Sequence, residues 1–319
     1  MKDVRKIFKS GKGSYILTLP KIWIIENGLK EGDSVYLNIK RNKLLISPSN
    51  IQKMPSKMSS IDDEDLDFNQ VLRRIIAYYL AGYNSLKVRT YNDEQRRAVA
   101  FASDMLIGVE IMEDLGEVVT LEIYLDSRRI NLNEIVERMS RVCKSMLSDF
   151  RKMIKSFKRE IGSSIIVREN EIDKLYFLTL RLINNAVWEC LSENEILEVF
   201  NYRIFARALE RTADHIDAMV ESLINLGKAY PEFCDIIEKC EELFGISTNS
   251  FFKKDISAAE DVLNNAEIYI NHIIALYTKI LSYEKEEILN LKTILDGLQR
   301  IIGYSSDIAE VTINASVLS

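Results

Sequence analysis

Leu209-Glu210-Arg211-Thr212-Ala213-Asp214-His215-Ile216-Asp217-Ala218-Met219-Val220-Glu221 is the stretch that decides the fold, because Leu298 to Glu310 repeats its pattern. The second copy reads Leu-Gln-Arg-Ile-Ile-Gly-Tyr-Ser-Ser-Asp-Ile-Ala-Glu, and Leu209, Arg211 and Glu221 fall on Leu298, Arg300 and Glu310 at one offset of 89 positions. An offset of that length between helical stretches is the mark of a duplicated unit. Working outward, everything from Leu132 onward reads as helix, three per repeat: Leu132 to Phe157, Glu169 to Cys190 and Tyr202 to Leu226, then Pro231 to Phe244, Ser257 to Ser282 and Lys285 to Val317. Ile161-Gly162-Ser163-Ser164 and Gly227 read as the breakers.

Composition agrees with long helices. A 319-residue chain is long enough for two or three domains, and 47 % hydrophobic residues with only four prolines and twelve glycines argue against a turn-rich all-β protein. Cys143, Cys190, Cys234 and Cys240 are scattered with no Cys-x-x-Cys pair, which fits reduced thiols in a cytoplasmic protein rather than a zinc ribbon. The apolar run from Tyr15 to Ile25 is interrupted by Pro20 and Lys21, so a signal peptide is not expected. No run approaches the roughly 18 apolar residues of a spanning helix, so no membrane insertion is expected either. The net charge of −6 hides an asymmetry. Residues 1–58 carry twelve Lys/Arg against four Asp/Glu, leaving 30 against 44 for the rest, so a basic head precedes an acidic body.

The head reads as short strands around one helical turn. Tyr15, Leu17 and Leu19 alternate with Ser14, Ile16 and Thr18, and Val35, Leu37 and Ile39 alternate with Tyr36, Asn38 and Lys40, a period of two. Pro20 opens a short helix through Asn27, and Gly28 stops it. Gly32-Asp33 makes a turn, and Arg41-Asn42-Lys43 reads as a tight hairpin. So small a unit buries too little surface to stand alone, and dimerisation is expected. Trp23, flanked by Ile22, Ile24 and Ile25, reads as a core anchor and not as a base-stacking residue. Residues 49–64, polar and interrupted by Pro55, read as a linker. A small α/β insert follows, with helices over Leu66 to Leu80 and Glu94 to Ile107, a strand over Leu86 to Arg89, and a hairpin of Val109 to Met112 with Val118 to Leu125. The domain boundaries expected are 1–50, 51–130, 131–228 and 229–319.

Two resemblances sharpen this outline. Glu210-Arg211 with Asp214-His215, and their degenerate echo around Arg300, resemble the third-helix signature of PhoU-domain proteins. Arg5-Lys6, Gly11-Lys12-Gly13-Ser14-Tyr15, Thr18-Leu19-Pro20-Lys21-Ile22-Trp23 and Gly28-Leu29-Lys30-Glu31-Gly32-Asp33-Ser34-Val35 resemble the SpoVT/AbrB (MazE-like) family over nearly all of residues 4–48. Tyr79 to Tyr83 and Leu106 to Ile111 are similar to pieces between the AbrB-like head and helical body of archaeal PhoU-like proteins. The resemblances imply a mostly α, multidomain chain: an AbrB-like swapped-hairpin β-barrel, dimeric and bound to double-stranded DNA, then the α/β insert, then a PhoU-like six-helix bundle of two three-helix repeats. They also imply regulation of phosphate uptake through partner proteins.

The residues themselves give two candidate sites. Lys2, Arg5, Lys6, Lys9, Lys12, Lys21, Arg41 and Lys43, doubled in a dimer, form a positive surface able to release counterions from duplex DNA. The plain alternative is a solvated face, since lysine is mostly exposed in any protein. Glu169 and Asp173, and likewise Glu210 and Asp214, lie four apart on single helix faces. Like charges at that spacing disfavour a helix by roughly 0.2–0.5 kcal/mol, so two facing pairs gain from a cation. All-oxygen ligands suit Mg, Mn, Fe or Ca, and the expected cofactor is a divalent ion among Mg, Mn, Fe and Zn. The same Glu/Asp-x-x-x-Asp spacing is the metal motif that the PhoU resemblance carries onto these four residues. In the second repeat Gln299 and Gly303 replace the acids and Asp261, Asn265 and Glu267 offer no matching pair, so no metal is expected there. His215 points about 100° from Asp214 and reads as a structural hydrogen-bonder. His272 reads as core, and Arg211 and Arg300 as salt-bridged structure. No nucleophile triad or phosphate loop of the Walker type is present in the sequence, and no enzyme is expected. Two functions remain open: a dimeric transcription regulator of phosphate homeostasis, or an adaptor docking on a phosphate transporter or signalling protein, with the head only dimerising.

Overall fold

The computed structural model describes residues 4–11, 13–40, 43–49, 57–126, 129–188 and 193–317. It divides into two compact units, Met1–Ser56 and Lys57–Ser319. The chain is mostly helical, with a small N-terminal β region and a C-terminal helical bundle.

The first unit holds two antiparallel hairpins. β1 (Ile7–Ser10) pairs with β2 (Ser14–Leu17), and β3 (Val35–Lys40) pairs with β4 (Lys43–Pro48) in register from Val35–Pro48 to Lys40–Lys43. Between them α1 (Lys21–Glu26) starts after Pro20, whose fixed φ of −61° suits the entry. Gly28, at φ +62°, ends it, a conformation that favours glycine. The pleat puts Val35, Leu37, Ile39, Leu44 and Ile46 on one face of the second hairpin. That face is uncovered in the single chain: Leu37 is 60 %, Ile39 79 % and Leu44 50 % exposed. Trp23 is half-buried and α1 contains no fully buried residue, so the core anchor expected of Trp23 is incomplete within one chain. The hairpin turn Arg41-Asn42 lies outside the described residues.

Within the stretch read as linker, Met58–Ile61 is a strand, β5, pairing in parallel with β6 (Ser85–Arg89), and Ile61 is buried. The polar run Asp62 to Asp65 concealed it, because a four-residue strand with one buried side chain carries little periodic signal. What holds this segment is Gln95. Its buried side chain donates to the carbonyls of Asp63, Glu64 and Leu66 and accepts from the Tyr91 amide, so every polar atom of a fully buried amide is satisfied. Helix α2 (Phe68–Leu80) then begins at a capping box, in which Gln70 N donates to Asp67 at 2.8 Å and Asp67 N donates to Gln70 at 3.0 Å. α3 (Asp93–Met105), β7 (Val109–Asp114) and β8 (Val118–Ile123) complete a four-stranded sheet of order β5-β6-β8-β7. Val71, Ile75, Tyr79, Leu86, Val88, Val99 and Leu121 form its separate core.

The bundle comprises α4 (Leu132–Lys155), α5 (Arg159–Trp188), α6 (Glu193–Leu226), α7 (Cys234–Lys253, after a 3-10 turn at Pro231–Phe233), α8 (Ile256–Ile280) and α9 (Lys285–Val317). The segment Ile161-Gly162-Ser163-Ser164 does not break the chain; it lies inside the first turns of α5. Gly162 is there for close approach: a Cβ would meet Val220, Ile224 and Met153 at 3.0–3.1 Å. Nor does α7 stop at Phe244. It runs through Gly245 to Lys253 and is closed by Lys254 in the left-handed conformation, φ 53°. The repeat is visible in one detail. The Cys143 thiol on α4 donates to the Leu209 carbonyl on α6, and Cys240 on α7 makes the same contact with Leu298 on α9, the matching leucine of the second copy. Both thiols are fully buried, which pushes their pKa values up and keeps them protonated. Both repeats share one core, running from Val136 and Met139 through Leu209 and Met219 to Leu298 and Ile302. Cys190 lies outside the described residues.

Candidate functional site

Helices α5 and α6 set the carboxylates opposite one another. Glu169 and Asp173 sit one turn apart on α5 next to buried Ile172, while Glu210 and Asp214 sit one turn apart on α6 beside buried Leu209 and Ala213. Helix periodicity therefore turns both acidic faces into the same seam. One oxygen each from Glu169, Asp173 and Asp214 lies within 4.8 Å of the others. Glu210 lies outside that trio: both of its oxygens accept from Arg207 Nη1, at 3.1 and 3.2 Å, and Arg211 stands 3.7 Å off. Arg211 also binds Asp214 at 3.0 Å, so the salt-bridged role expected of it is observed. The structure thus gathers three of the four expected acids and places the fourth at the edge under guanidinium control.

Sequence reasoning missed Asp217. It is three residues beyond Asp214 and seven beyond Glu210, a spacing that puts all three on one stripe of α6. One of its carboxylate oxygens is buried with no hydrogen-bond partner. An orphaned buried anionic oxygen is costly, and a cation nearby would offset it.

Electrostatics agree with the geometry. Burial first, and then Asp173, Asp217, Asp214 and Glu210, push the Glu169 carboxyl up to about 7. Burial and Asp214 push Asp173 up to about 6. Burial and Asp214 raise Glu210 to about 7 against the pull of Arg207 and Arg211. Asp217 is raised by burial and by Glu221 and Asp214. Acids crowded out of water and against one another bind protons where no cation neutralises them. A hard, oxygen-seeking divalent ion fits this donor set.

The second repeat is built differently. At the Glu210 and Asp214 positions stand Gln299 and Gly303, and Tyr277 of α8 donates its hydroxyl to Asp296 at 2.5 Å and to Gln299 at 3.3 Å. Asn265 donates to the carbonyl of Asp261 in its own helix. His215 meets Tyr304 across the repeat boundary, Nε2 to hydroxyl 3.3 Å with the rings stacked, so its role is structural as expected; burial holds its pKa down. Two expectations are corrected. His272 is only half-buried on the outer side of α8, because its helix turn exposes Asn271 and Ile274 on either side. Arg300 is exposed and forms no ion pair within 4 Å among the described residues, since its neighbour Asp296 is taken by Lys292 at 2.5 Å.

In the head, Arg5, Lys6, Lys9, Lys21 and Lys43 are all exposed, on or beside strands β1 and β4 and at the start of α1. Lys2, Lys12 and Arg41 lie outside the described residues.

The chain thus joins in sequence a head of two hairpins to a duplicated helical body with an acidic seam. Comparison places both parts. The family model described as PhoU domain matches residues 136–223, and the one described as antidote-toxin recognition MazE, bacterial antitoxin, matches residues 8–53. The chain carries a MazE/AbrB-like N-terminal domain and a C-terminal PhoU domain. Among solved structures, PhoU from Pseudomonas aeruginosa is similar at 15 % identity and TM-score 0.52, covering 58 % of this chain and 94 % of that one. The phosphate transport system regulatory protein PhoU from Streptococcus pneumoniae is similar at 15 % identity and TM-score 0.53, covering 58 % and 92 %. Coverage of that extent exceeds one three-helix repeat, so the fold likeness takes in the second repeat that the family model leaves unmatched. Comparison with curated proteins finds no match.

Proposed function

We propose that the protein is a dimeric, DNA-binding regulator of phosphate uptake and homeostasis whose helical body senses a divalent cation. The observation that carries this reading is the uncovered apolar face of the head, with Leu37, Ile39 and Leu44 at least half exposed beside Ile46. Residues of this kind stay exposed in a folded domain only when another surface covers them. A second copy of the head is the cover that the AbrB-like resemblance supplies, in a swapped-hairpin barrel. Dimerisation then doubles Arg5, Lys6, Lys9, Lys21 and Lys43 into one basic surface, while the body keeps an acidic balance that repels phosphate backbones. The PhoU domain supports the phosphate-homeostasis side, and the acidic seam between α5 and α6 supports the cation. When bound there, the ion would be held by Glu169, Asp173 and Asp214, and it would supply positive charge that ties the two helices together.

The experiment is binding of the purified protein to its own upstream DNA and to random duplex at two salt concentrations. Tighter binding to the upstream DNA, weakening steeply with salt, is the expected result. A second reading is favoured by the description of the head's family model, which names protein recognition and not DNA. In that reading the protein is an adaptor on a phosphate transporter or signalling protein, and neither duplex is retained.

A further inference from the structure

On α6, Arg203, Arg207 and Arg211 follow one another at intervals of four residues, on a stripe that borders the carboxylates and meets Glu210 and Asp214 through Arg207 and Arg211. Each step of four rises about 6 Å along a helix, so the three guanidinium groups form a ladder on one face. The ladder lines a cleft of about 270 Å³ whose other wall is Tyr304 and Asp307 of α9. A second, larger cleft of about 740 Å³ adjoins it, sharing Tyr304 and Asp307 and adding Arg300, Gln299 and His215. It lies where the second repeat has lost its acids. Gly303 stands in place of Asp214's counterpart, and a Cβ there would meet nothing within 4 Å.

The charge left over in these walls, once the ion pairs are counted, is that of Arg203 and Arg300 against Asp307. Arg207 and Arg211 are partly engaged by Glu210 and Asp214, but each guanidinium has five N–H donors and only some are used. Arg203 and Arg300 are exposed and have no ion-pair partner among the described residues. Against these four cations the clefts hold Asp307 and Asp296, and Asp296 already has Lys292 at 2.5 Å. Planar forks repeated at this spacing match the oxygens of a phosphate group in pairs, which a point charge does not. The larger cleft is different in kind. Gln299, Tyr304 and His215 offer donors and acceptors, and the stacked Tyr304 and His215 rings offer a flat apolar edge.

We propose that this double cleft is a binding site for a phosphate-bearing anion carrying two or more negative charges. The phosphates would lie on the Arg203–Arg211 ladder, and any organic portion in the larger cleft beside Arg300 and Tyr304. The inference rests on the arginines and the clefts and is independent of the regulatory reading.

The test uses the full chain with chelator present at constant ionic strength. Inorganic phosphate, pyrophosphate and ADP are titrated separately by calorimetry into wild type and into the Arg203→Ala/Arg300→Ala double variant. Neither side chain is packed or paired, so the variant should fold, and equal melting temperatures without ligand verify it. The expected result is binding of pyrophosphate or ADP by wild type, weakened roughly tenfold or more in the variant, as for loss of charged hydrogen bonds. ADP ahead of pyrophosphate identifies a nucleotide, and the reverse order a free inorganic anion; both support the shared chemistry. The basic head also attracts anions, but it is the same in both proteins. Equal affinity in the two proteins overturns the proposal. So does no binding by wild type, or binding that appears only with added divalent metal. Retention of duplex DNA by the variant, measured alongside, reports on the regulatory reading separately.

Discussion

Two glycines on one helix show how far a single Cβ reaches in this body. At Gly297 of α9 a Cβ would fall 2.5 Å from the Met219 sulfur and 2.6 Å from its Cγ, and Met219 is fully buried in the α6–α9 contact. Gly297→Ala must move that side chain inside a packed core, at a cost of about 1–3 kcal/mol. Six residues on, Gly303 has open space and helical backbone, so Gly303→Ala should stabilise by up to about 1 kcal/mol through helix propensity. Urea unfolding of the two variants should therefore shift in opposite directions; equal shifts would contradict this account of the contact. The acidic seam gives a second single-residue expectation, with a definite sign. Glu169 and Glu210, raised to about 7, and Asp173, raised to about 6, sit above the ordinary carboxylate range of roughly 4 that they hold when unfolded. The folded, metal-free chain therefore holds more protons between those limits. Its stability from these groups is fully present below the unfolded value and is lost as pH rises through about 6–7. Chelated protein should melt lower at about pH 7.5 than at about pH 5.5, and Glu169→Gln should shrink the difference. A wild-type melting temperature that rises over this window, with Glu169→Gln no different, would count against the crowding.

At the scale of elements, α5 does two jobs, since its first half carries Glu169 and Asp173 and its second half carries the α/β insert. Arg181 is 2 % exposed, has no acidic partner among the described residues, and donates to the backbone carbonyls of Tyr79 and Tyr83 while lying over the Tyr79 ring at 4.8 Å. Those carbonyls end α2, where a helix leaves its acceptors unpaired and its dipole negative, so the buried cation is satisfied without a carboxylate. Asn184 adds a bond to the Leu80 carbonyl at 2.9 Å. Arg181→Met keeps the volume but leaves the Tyr83 carbonyl without its donor and the Tyr79 carbonyl with Gly82 N alone, which should cost about 1–3 kcal/mol. Hydrogen exchange should locate that loss at the end of α2, and uniform exchange across the bundle would speak against a joint here. The first half of α5, with α6, gives the metal test. Asp214→Asn should lower metal content and the rise in melting temperature on adding Mn or Mg, because a ligand that binds only the folded state stabilises it by mass action. Much of this level was legible in the sequence. The duplicated Leu-x-Arg pattern gave the two repeats, and the two i, i+4 acid pairs contain the three carboxylates that cluster. The misses share a physical cause. Gly162 looked like a breaker and α7 looked finished at Phe244, before Gly245, because propensity is local, while these glycines let Val220 and Lys144 of other helices approach. Glu210 looked equivalent to Asp214 because spacing cannot show that Arg207 hydrogen-bonds to one while Arg211 binds the other. Strand β5 was too short to announce itself.

For the whole molecule, the separation of charge between head and body assigns the proposed DNA binding to the first unit and ties it to that unit's copy number. The compact second unit begins at Lys57, and β5 begins at Met58, so a fragment of residues 57–319 keeps every strand of the insert sheet. That fragment should fold and fail to retain duplex DNA. If it binds as the full chain does, the basic head is not the interface. The full chain allows a stricter test, in which one lysine reports both the contact and the dimer. Lys9 is exposed in β1, on the same face of the hairpin as its partner Tyr15. If it neutralises a phosphate, binding releases a condensed counterion, and log K falls with log salt by about 0.9 for each such contact. In a dimer every substitution occurs twice. Lys9→Ala should therefore reduce the magnitude of the slope by about 2, and weaken binding alike on upstream and random duplex, because phosphate contacts position without specifying sequence. A reduction of about 1 would mean that only one copy of the head touches DNA. An unchanged slope would remove Lys9 from the interface, and a loss confined to the upstream sequence would make it a reader of bases.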